Sequence, residues 1–560
     1  MKDGFSCVLS RFFYDNAGFF SKIGFLERKN DGDPVVTGLQ YDSRAIEKGD
    51  MYFALPGAHT DGRRFIPQAV ERGAVVVVHQ DEAGAYAEGV VYIKVKDSRF
   101  AMSGIADAFY GSPSRKLAVI GVTGTEGKST TVHLIWQLLR LCGKRAGFIS
   151  TVQYCVADSA EWNPEHQTTP EATVIHKRLA EMVNNGLEFA VLEASSHGLS
   201  PRTNRLGDVA FDVAVMSNVT HEHLEFHGTW ERYRDDKARL FRALDAGSAV
   251  SHQKRLATGM APGFGVVNGD DKSASYFASV TQKPVFSYTE GAAEGAIDAD
   301  ARLVRIESAS GGNEYALLET KTQRVIPVKD NLPGAFNVRN VMASLLCVSN
   351  LLSTPIADLA PLVPQLTPTR GRMTAVQKGQ PFEVIVDYAH TPSSFATIFP
   401  PLRSRYDKTG GRIISVFGSA GDRDTQKRPE QGRIAALHSD IIILADEDPR
   451  GEDPMAILEE IAAGVYAAQN SAGSGAPGGA VRACRNTGTR GEDLFLIPDR
   501  PSAIRKAFSL AREGDVALLL GKGHENSILY AHETRPYDEI TEAEKALEEA
   551  GYTLPAIQAS

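Results

Sequence analysis

Short apolar runs recur along the chain and predict the strands of parallel sheets. Four such runs alternate with stretches of helical character in the C-terminal part of the chain, at residues 383–387, 413–417, 441–445 and 516–520. This alternation is typical of a parallel α/β sheet. Three earlier runs, at 117–122, 189–192 and 211–216, are equally apolar, and we expect them to be buried strands of another such sheet.

Turns and composition shifts divide the chain into three blocks. The first block has β-like runs at 74–78 and 90–95 and ends at the turn sequence G-S-P-S, and a Pro/Thr-rich connection begins near residue 361. At about 150 residues per domain, 560 residues are enough for three or four domains. We therefore predict an α/β protein with three domains: an N-terminal domain at 1–112, a central domain at 113–360 and a C-terminal Rossmann-like domain at 361–560. The Gly/Ser/Ala-rich stretch 470–480 reads as a surface insertion.

Composition excludes several classes of protein. A net charge of -9 argues against a dedicated nucleic-acid binder, and no apolar run approaches the roughly 20 residues that span a bilayer. The first 20 residues lack the apolar core and small-residue cleavage site of a signal peptide. The cysteines are scattered without close pairs, which predicts reduced thiols in a cytoplasmic protein: Cys7, Cys142, Cys155, Cys347 and Cys484.

A glycine-rich segment between a strand and a helix is the sharpest chemical signal. Residues 121–130 read G-V-T-G-T-E-G-K-S-T, after the apolar run 117–122 and before the helical run 129–141. That context is typical of a P-loop, in which glycines turn backbone N–H groups toward phosphate oxygens. Val122 stands where the usual spacing has a glycine, so the loop is a variant.

The side chains of this loop suit a nucleotide with a bound metal. Lys128 adds positive charge toward the β- and γ-phosphates, and the hydroxyl of Ser129 or Thr130 can ligate Mg²⁺. The start of the following helix adds partial positive charge.

Polar residues follow two further strands. Glu193 comes directly after the run 189–192, and His223 follows the run 211–216. Chemistry in open α/β sheets lies at the carboxyl ends of strands, so we expect both residues beside the P-loop, completing a Mg²⁺ site. His221 and His227 are expected to be solvated or capping residues. Lys237 stands in a charged helical stretch, and on sequence alone we expect it at the surface.

Taken together, these segments resemble the Mur ligase family. The loop T-G-T-E-G-K-S-T resembles the ATP loop of Mur ligases and of the related folylpolyglutamate synthetases. The segments at 193–197, 218–228 and 233–241, which read E-A-S-S-H, N-V-T-H-E-H-L-E-F-H-G and Y-R-D-D-K-A-R-L-F, resemble family motifs. The family usually has Asn at Glu126, which we expect to point outward, and Asp at Glu222 and Glu225.

The resemblance implies roles for residues around the nucleotide. It implies that Lys237 is carbamylated and that Lys128, Lys237 and His223 are catalytic. It implies that the metal ligands are Ser129, Glu193, His223 and Lys237. The implied ATP-binding residues are Gly124, Thr125, Glu126, Gly127, Lys128, Ser129, Thr130, Asn337 and Arg372.

The N-terminal block resembles the uridine-binding domain of the Mur ligases that add the third amino acid of the muramoyl peptide. It carries Y-D-S-R at 41–44 and D-G-R-R-F-I-P-Q-A at 61–69. The resemblance implies a site for the UDP-muramoyl dipeptide formed by Tyr41, Ser43, His59, Thr60, Gln167, Thr168, Thr169, Ser195 and Arg205. The segment before Arg205 is two residues longer than in the family, which makes Arg202 a rival.

The C-terminal block carries five family-like motifs, nearly all of which follow an apolar strand. They imply an amino-acid site of Arg423, Glu447, Asp448, Pro449, Arg450, Gly521 and Glu525. Relatives that add meso-diaminopimelate usually have D-N-P-R where this chain has E-D-P-R. The extra anion at Asp448 would repel a distal carboxylate and attract a distal ammonium. On this charge argument lysine or ornithine is favoured over meso-diaminopimelate.

The resemblance implies an ATP-dependent ligase of peptidoglycan synthesis that uses ATP and Mg²⁺, a UDP-muramoyl dipeptide and a diamino acid. We expect a cytoplasmic monomer that binds no nucleic acid and inserts into no membrane. One alternative is a folylpolyglutamate synthetase, which would lack the block at 42–44 and that at 447–450. Another is a regulatory P-loop ATPase or kinase, which would turn over ATP without an amino-acid acceptor.

Overall fold

A computed structural model gives the fold of the protein. It describes residues 5–14, 18–57, 61–165, 167–220, 224–246, 254–255, 258–291, 298–309, 312–472 and 484–553. These residues form two compact units. The first comprises residues 1–307, 314–330 and 336–366, and the second comprises 308–313, 331–335 and 367–560.

The N-terminal sheet has five strands and is parallel except at one edge. In spatial order the strands are Phe25–Lys29, Val91–Val95, Val76–His79, Asp50–Phe53 and Gly38–Gln40. Only Phe25–Lys29 runs antiparallel to its neighbour. A two-stranded ribbon of Cys7–Val8 and Val35–Val36 lies in the same part of the chain. The sheet buries Val76, Val78 and Ile93 against the helix Ser98–Phe109.

The central sheet has eleven strands and places the P-loop strand between the two strands predicted to flank it. Their spatial order is Glu161–Trp162, Gln153–Cys155, Ala146–Ile149, Phe189–Glu193, Ala118–Thr123, Val213–Met216, Phe264–Asn268, Val285–Thr289, Ala301–Ala309, Gly312–Glu319 and Arg324–Asp330. The strands from Ala146–Ile149 to Ala301–Ala309 are parallel. Every residue of Ala118–Thr123 is buried, because helices cover both faces of a parallel sheet.

The helices of the first unit surround these two sheets. They are Leu9–Tyr14, Phe19–Lys22, Ile66–Glu71, Ser98–Phe109, Lys128–Leu141, Ala172–Asn184, Ser196–Leu199, Leu224–His227, Trp230–Ala246, Ala274–Ser279, Phe336–Leu352 and Ile356–Leu359. Short 3₁₀ turns are Ser43–Ala45, Gly62–Phe65, Pro113–Arg115 and Ala360–Gln365. We call Lys128–Leu141 the P-loop helix and Ala172–Asn184 the junction helix.

The second unit is built on a six-stranded sheet. Its spatial order is Thr374–Ala375, Glu383–Asp387, Val516–Leu520, Ile413–Phe417, Ile441–Leu444 and Leu494–Leu496. All neighbours are parallel except the first pair. A ribbon joins Ser527–Leu529 and Thr534–Pro536. The helices are Pro392–Thr409, Lys427–His438, Pro454–Ala472, Arg500–Leu510 and Glu539–Glu549.

The predicted α/β architecture is confirmed, and the apolar runs coincide with strands to within two residues at each end. The domain boundaries near 112 and 360 remain predictions. Most of the predicted insertion at 470–480 lies outside the described residues, since Pro454–Ala472 ends the described part there. Where the chain is described, no single helix is long and apolar enough to cross a membrane, although the pair Phe336–Leu352 and Ile356–Gln365, bent by 114°, meets the criteria of length and composition together.

Candidate active site

The P-loop connects the central strand Ala118–Thr123 to the P-loop helix. Gly127 stands just before the helix with φ of 80°, a left-handed conformation that favours glycine. A Cβ there would lie 2.6 Å from Oδ1 of Asn340, so the loop has no space for a side chain at this position. The Nζ of Lys128 donates a hydrogen bond to the carbonyl of Thr125, 2.7 Å away, and the lysine is half-buried.

The end of the neighbouring strand Val213–Met216 fixes the shape of the loop. The N–H of Thr125 donates to the carbonyl of Asn218, and the N–H of Glu126 donates to its side-chain Oδ1. The hydroxyl of Ser217 donates to the carbonyl of Glu126 at 2.6 Å. Asn218 and Ser217 thus hold the loop from outside, while Glu126 itself is half-buried.

Asn337 is connected to the P-loop helix by the hydrogen bonds of one further residue, Asn340. The Nδ2 of Asn340 donates to Oδ1 of Asn337 at 2.9 Å, and the hydroxyl of Thr131 in the P-loop helix donates to Asn340. Both asparagines are nearly buried on the helix Phe336–Leu352. Asn340 was missed by the sequence analysis, although its spacing of three residues from Asn337 places the two on one helix face.

Glu193 is a buried carboxylate that collects three donors at one oxygen. Its Oε2 accepts from the hydroxyl of Ser129 at 2.9 Å, and from the N–H and the hydroxyl of Thr151 at 2.8 and 2.9 Å. The strand order predicted that Glu193 lies beside the P-loop. Thr151 was missed, because it follows the short strand Ala146–Ile149 without a recognisable motif.

These oxygens suit Mg²⁺. Mg²⁺ beside a nucleotide is usually held by one or two carboxylates or hydroxyls together with phosphate oxygens and waters. Where the chain is described, no three His, Cys, Asp or Glu side chains converge; Glu193 and Ser129 each offer an oxygen to a metal at this position.

Lys237 is buried, which overturns the expectation from its charged neighbours that it lies at the surface. Only 2% of the residue is exposed, on the helix Trp230–Ala246. Its Nζ donates to the carbonyl of Gly124 at 2.5 Å and lies 4.4 Å from the centre of the Tyr233 ring. The helix therefore turns this lysine inward onto the P-loop.

His227 is not the solvated or capping histidine expected from the sequence. Its side chain is fully buried, with Nδ1 2.8 Å from the carboxylate of Asp236 and Nε2 3.1 Å from the hydroxyl of Ser196. Because the carboxylate accepts, Nδ1 donates to Asp236, while Nε2 shares a hydrogen bond with the hydroxyl of Ser196. His221 and the singled-out His223 lie outside the described residues.

Several residues assigned to the dipeptide lie together at the end of the strand Phe189–Glu193. The hydroxyl of Thr169 donates to the carbonyl of Glu193 and lies 2.9 Å from the hydroxyl of Ser195. Arg205 donates to the carbonyl of Thr169 at 2.9 Å, whereas the exposed rival Arg202 stacks on a phenylalanine ring elsewhere. Thr168 is half-buried and Gln167 exposed.

The predicted uridine residues are described only in part. Ser43 is buried and donates to Oε1 of Gln68, and Tyr41 is half-buried, with a pKa raised to about 12 by burial. His59 and Thr60 lie outside the described residues.

In the second unit, Glu447, Asp448 and Pro449 follow the strand Ile441–Leu444. Glu447 is 6% exposed, and its Oε2 is buried without a hydrogen-bond partner in the described part of the chain. A Cβ on Gly521 would approach that oxygen to 3.0 Å, so the two assigned residues are neighbours. Pro449 is buried.

Asp448 and Glu525 share one buried lysine that the sequence analysis did not assign. The Nζ of Lys522 lies 2.8 Å from Asp448 and 2.6 Å from Glu525. Burial opposes the charge, but the two carboxylates raise the pKa of Lys522 above its ordinary value. The lysine stands within the G-K-G-H-E motif, which was the available signal.

The arginines assigned to this unit differ in their surroundings. Arg450 is half-buried, with Nη2 4.0 Å from Asp448 and a buried Nε that has no hydrogen-bond partner in the described part of the chain. Arg423 is exposed on a loop. Arg372 lies 4.6 Å from the ring centre of Tyr388, whose hydroxyl reaches Glu525. Arg372 thus lies near residues predicted to bind the amino acid, and its role in ATP binding stays a prediction.

Comparisons with protein families match three parts of the chain. Residues 122–348 match the Mur ligase middle domain, and residues 371–523 match the Mur ligase glutamate ligase domain. Residues 35–110 match the Mur ligase family catalytic domain.

Similar proteins extend over nearly the whole chain. The UDP-N-acetylmuramyl-tripeptide synthetase of Treponema denticola is 49% identical over 536 residues, which cover 93% of this chain and 95% of that protein. The UDP-N-acetylmuramoyl-L-alanyl-D-glutamate–2,6-diaminopimelate ligase of Geobacillus thermodenitrificans is 37% identical over 519 residues, covering 92% and 96%.

Solved structures share the fold. A 2,6-diaminopimelate ligase structure is 27% identical, with a TM-score of 0.56, and covers 92% of this chain and 96% of that one. MurF from Acinetobacter baumannii has a TM-score of 0.60 at 17% identity, covering 95% and 97%.

Proposed function

The chain belongs to the Mur ligase family, and on that premise we propose that it adds the third amino acid to UDP-N-acetylmuramoyl-L-alanyl-D-glutamate and converts ATP to ADP and phosphate. The observation that carries the proposal is the P-loop with the buried Glu193 at its Ser129, in a chain of which 93% aligns with a tripeptide synthetase. Likeness to folylpolyglutamate synthase rests on 15% identity and concerns the fold alone.

The chemistry has two steps. A carboxylate oxygen of the dipeptide attacks the γ-phosphorus of ATP, so a new O–P bond forms and ADP leaves. The neutral amine of the incoming amino acid then attacks the acyl carbon and forms the C–N bond. The bond from that carbon to the phosphate oxygen breaks, one N–H proton passes to the departing phosphate, and hydrogen phosphate leaves. Phosphoryl transfer of this kind depends on positioning and charge stabilisation, which Lys128 and the P-loop supply.

Mg²⁺ is the metal that these residues suit, and Ser129 and Glu193 would hold it. When bound, it neutralises developing charge on the phosphates. We further propose that Lys237 is carbamylated, which would turn a cation beside Gly124 into an anion able to ligate a metal. His223 is proposed as a further ligand by the family resemblance alone.

For the third amino acid we propose lysine or ornithine over meso-diaminopimelate. Three carboxylates, Glu447, Asp448 and Glu525, belong to the assigned site, and Lys522 lies between the last two. The carboxylate of Asp448, at a position where relatives that add meso-diaminopimelate usually have Asn, favours a substrate with a distal ammonium. Within the described residues, neither Oε2 of Glu447 nor Nε of Arg450 has a hydrogen-bond partner. The unpaired oxygen of Glu447 supports lysine or ornithine, whereas the unpaired Nε of Arg450 supports meso-diaminopimelate.

The test is a comparison of kcat/KM for L-lysine, L-ornithine and meso-diaminopimelate, measured as ADP release that requires the UDP-dipeptide. Preference for lysine or ornithine is expected. A clear preference for meso-diaminopimelate would refute the choice of amino acid, and absence of release with all three would refute the proposed reaction. We also propose that the protein is a cytoplasmic monomer with the predicted domains 1–112, 113–360 and 361–560.

A further inference from the structure

Two arginines and a glutamate meet between the two sheets of the first unit, and only Arg205 among them has been given a role. Arg99 is the second residue of the helix Ser98–Phe109, which packs on the N-terminal sheet. Glu171 is the residue before the junction helix, and Arg205 lies on a loop of the central sheet. We call these three residues the junction cluster.

Both arginines of the junction cluster reach the same carboxylate oxygen. Arg205 Nη2 donates to Oε1 of Glu171 at 2.9 Å, and Arg99 Nη1 donates to that oxygen at 3.4 Å. Arg99 Nη2 also donates to the carbonyl of Pro56 at 3.3 Å. The glutamate side chain is 6% exposed and the arginine side chains are 13% and 23% exposed, for Arg205 and Arg99. One anion thus holds two guanidinium groups side by side.

The junction cluster is incomplete as a purely structural ion pair. Arg205 Nε and Glu171 Oε2 are buried, and neither has a hydrogen-bond partner in the described part of the chain. Two cations and one anion leave a net charge of +1. Buried polar groups are normally satisfied, so these atoms point to a ligand that brings anionic oxygens and at least one donor. A sugar diphosphate carries both.

The position of the junction cluster fits a diphosphate. Pro56, which Arg99 contacts, stands three residues before His59 of the predicted uridine site. On the other side, Arg205 binds the carbonyl of Thr169, whose hydroxyl meets Ser195 of the predicted dipeptide site. The junction cluster therefore contacts a residue close in sequence to the predicted uridine site and a residue of the predicted dipeptide site.

We propose that Arg99 is a further substrate-binding residue, which together with Arg205 holds the diphosphate that joins uridine to the muramoyl dipeptide. Glu171 is a positioning residue that places both guanidinium groups before substrate arrives. This inference rests on the proposed function, since it takes the UDP-dipeptide as substrate.

The test measures binding by calorimetry, with ADP saturating the P-loop, to the wild type and to Arg99→Met. Three probes are used: the full UDP-muramoyl dipeptide, UDP alone, and the muramoyl dipeptide without its nucleotide. A charge-assisted pair of hydrogen bonds predicts about 10- to 100-fold weaker binding of the first two probes. Binding of the nucleotide-free dipeptide is expected to be unchanged. In turnover, KM for the nucleotide substrate should rise while kcat stays within about 2-fold.

Two further variants separate binding from structure. Arg145→Met removes an arginine that bonds the carbonyl of Asn185 at the opposite end of the parallel strands, and it should leave all three affinities unchanged. Arg99→Lys keeps the ion pair with Glu171 but loses the planar fork, so its affinity for UDP should fall less than that of the methionine variant. If Arg99→Met does not fold, the affinities of Arg99→Lys decide the test.

Three results would overturn the inference. Unchanged affinity for UDP in the Arg99 variants would make the junction cluster a structural ion pair only. An equal loss for the nucleotide-free dipeptide would place Arg99 on the dipeptide. Failure of the wild type to bind UDP or the full substrate would mean that the junction cluster does not bind the proposed diphosphate. A wild type that binds both but releases no ADP with any amino acid would instead count against the proposed function, and the comparison of Arg99 variants would still decide this inference.

Discussion

Asp448→Asn should shift amino-acid preference toward meso-diaminopimelate. The change removes one negative charge from the surroundings of Arg450 while keeping the size of the side chain. In the wild type the N–H of Leu529 donates to Asp448 at 3.0 Å, and the side-chain oxygen of the asparagine can accept the same hydrogen bond. Lys522 retains Glu525 as its partner. The variant therefore alters the charge of the site with little change to its packing.

The size of the shift in preference follows from the distance between the charges of Asp448 and Arg450. Arg450 Nη2 lies 4.0 Å from Asp448 Oδ2. At that separation two unit charges interact by about 1 kcal/mol in water and about 4 kcal/mol at an effective dielectric constant of roughly 20. Lys522, at 2.8 Å, already offsets part of the charge of Asp448. We therefore expect about 1–2 kcal/mol, or roughly a 5- to 30-fold change in the ratio of kcat/KM values.

The assay is ADP release with lysine and with meso-diaminopimelate, compared between wild type and variant. Asp453→Asn is the matched control, because Asp453 is exposed three residues after Arg450 and asparagine preserves its bond to the N–H of Ala456. The ratio should not move in the control. A ratio that also stays within about 2-fold in Asp448→Asn would refute the argument, since it would mean that Lys522 has already neutralised Asp448 for the substrate.

Two further variants test the first unit. Lys128→Ala should reduce ADP release by at least about 1000-fold, because it deletes the charge facing the transferred phosphoryl group. The control is Lys116→Ala, at the opposite end of the P-loop strand. Near wild-type turnover of Lys128→Ala would refute the P-loop assignment. Lys237→Ala should be nearly inactive and should regain part of its activity with added formate or acetate, which would occupy the place of the carbamate. The control is Arg239→Ala, which changes an exposed residue of the same helix and should retain activity. Full activity of Lys237→Ala without added acid would contradict the carbamate.

The strands and the strand ends of the site were predictable because they depend on local pattern. A run such as Ile413–Phe417 is apolar at nearly every position, as a strand buried on both faces must be. Parallel strands bring their carboxyl ends to one edge, so the meeting of Glu193 and Ser129 followed from order alone.

The burial of charged residues was not predictable from their neighbours. Lys237 lies among charged residues on its helix, yet its position on the helix turns it toward Gly124. His227 is buried because Asp236 and Ser196, distant from it in sequence or on another element, satisfy both ring nitrogens. Lys522 donates a hydrogen bond to Asp448, which lies 74 residues earlier in the sequence. Burial of such groups depends on partners that only the folded chain brings together.

Asp446 should make the second unit less stable as the pH rises. Burial raises the pKa of this carboxyl to about 6, and the hydroxyl of Tyr530 bonds one of its oxygens. Between the ordinary pKa of 3.8 and about 6 the folded protein holds a proton that the unfolded chain has lost. Stability from this group is therefore present at low pH and is lost as pH rises through about 6.

Asp446→Asn removes that titration, so its stability relative to wild type should increase from pH 4 to pH 6 and then stay level. Calorimetry is the suitable measurement, because all three tryptophans, Trp136, Trp162 and Trp230, belong to the first unit and would not report on the second. Asp453→Asn should show no such rise. A difference that is constant across this pH range would mean that Asp446 is ionised throughout, with Tyr530 and the nearby Arg500 compensating fully for its burial.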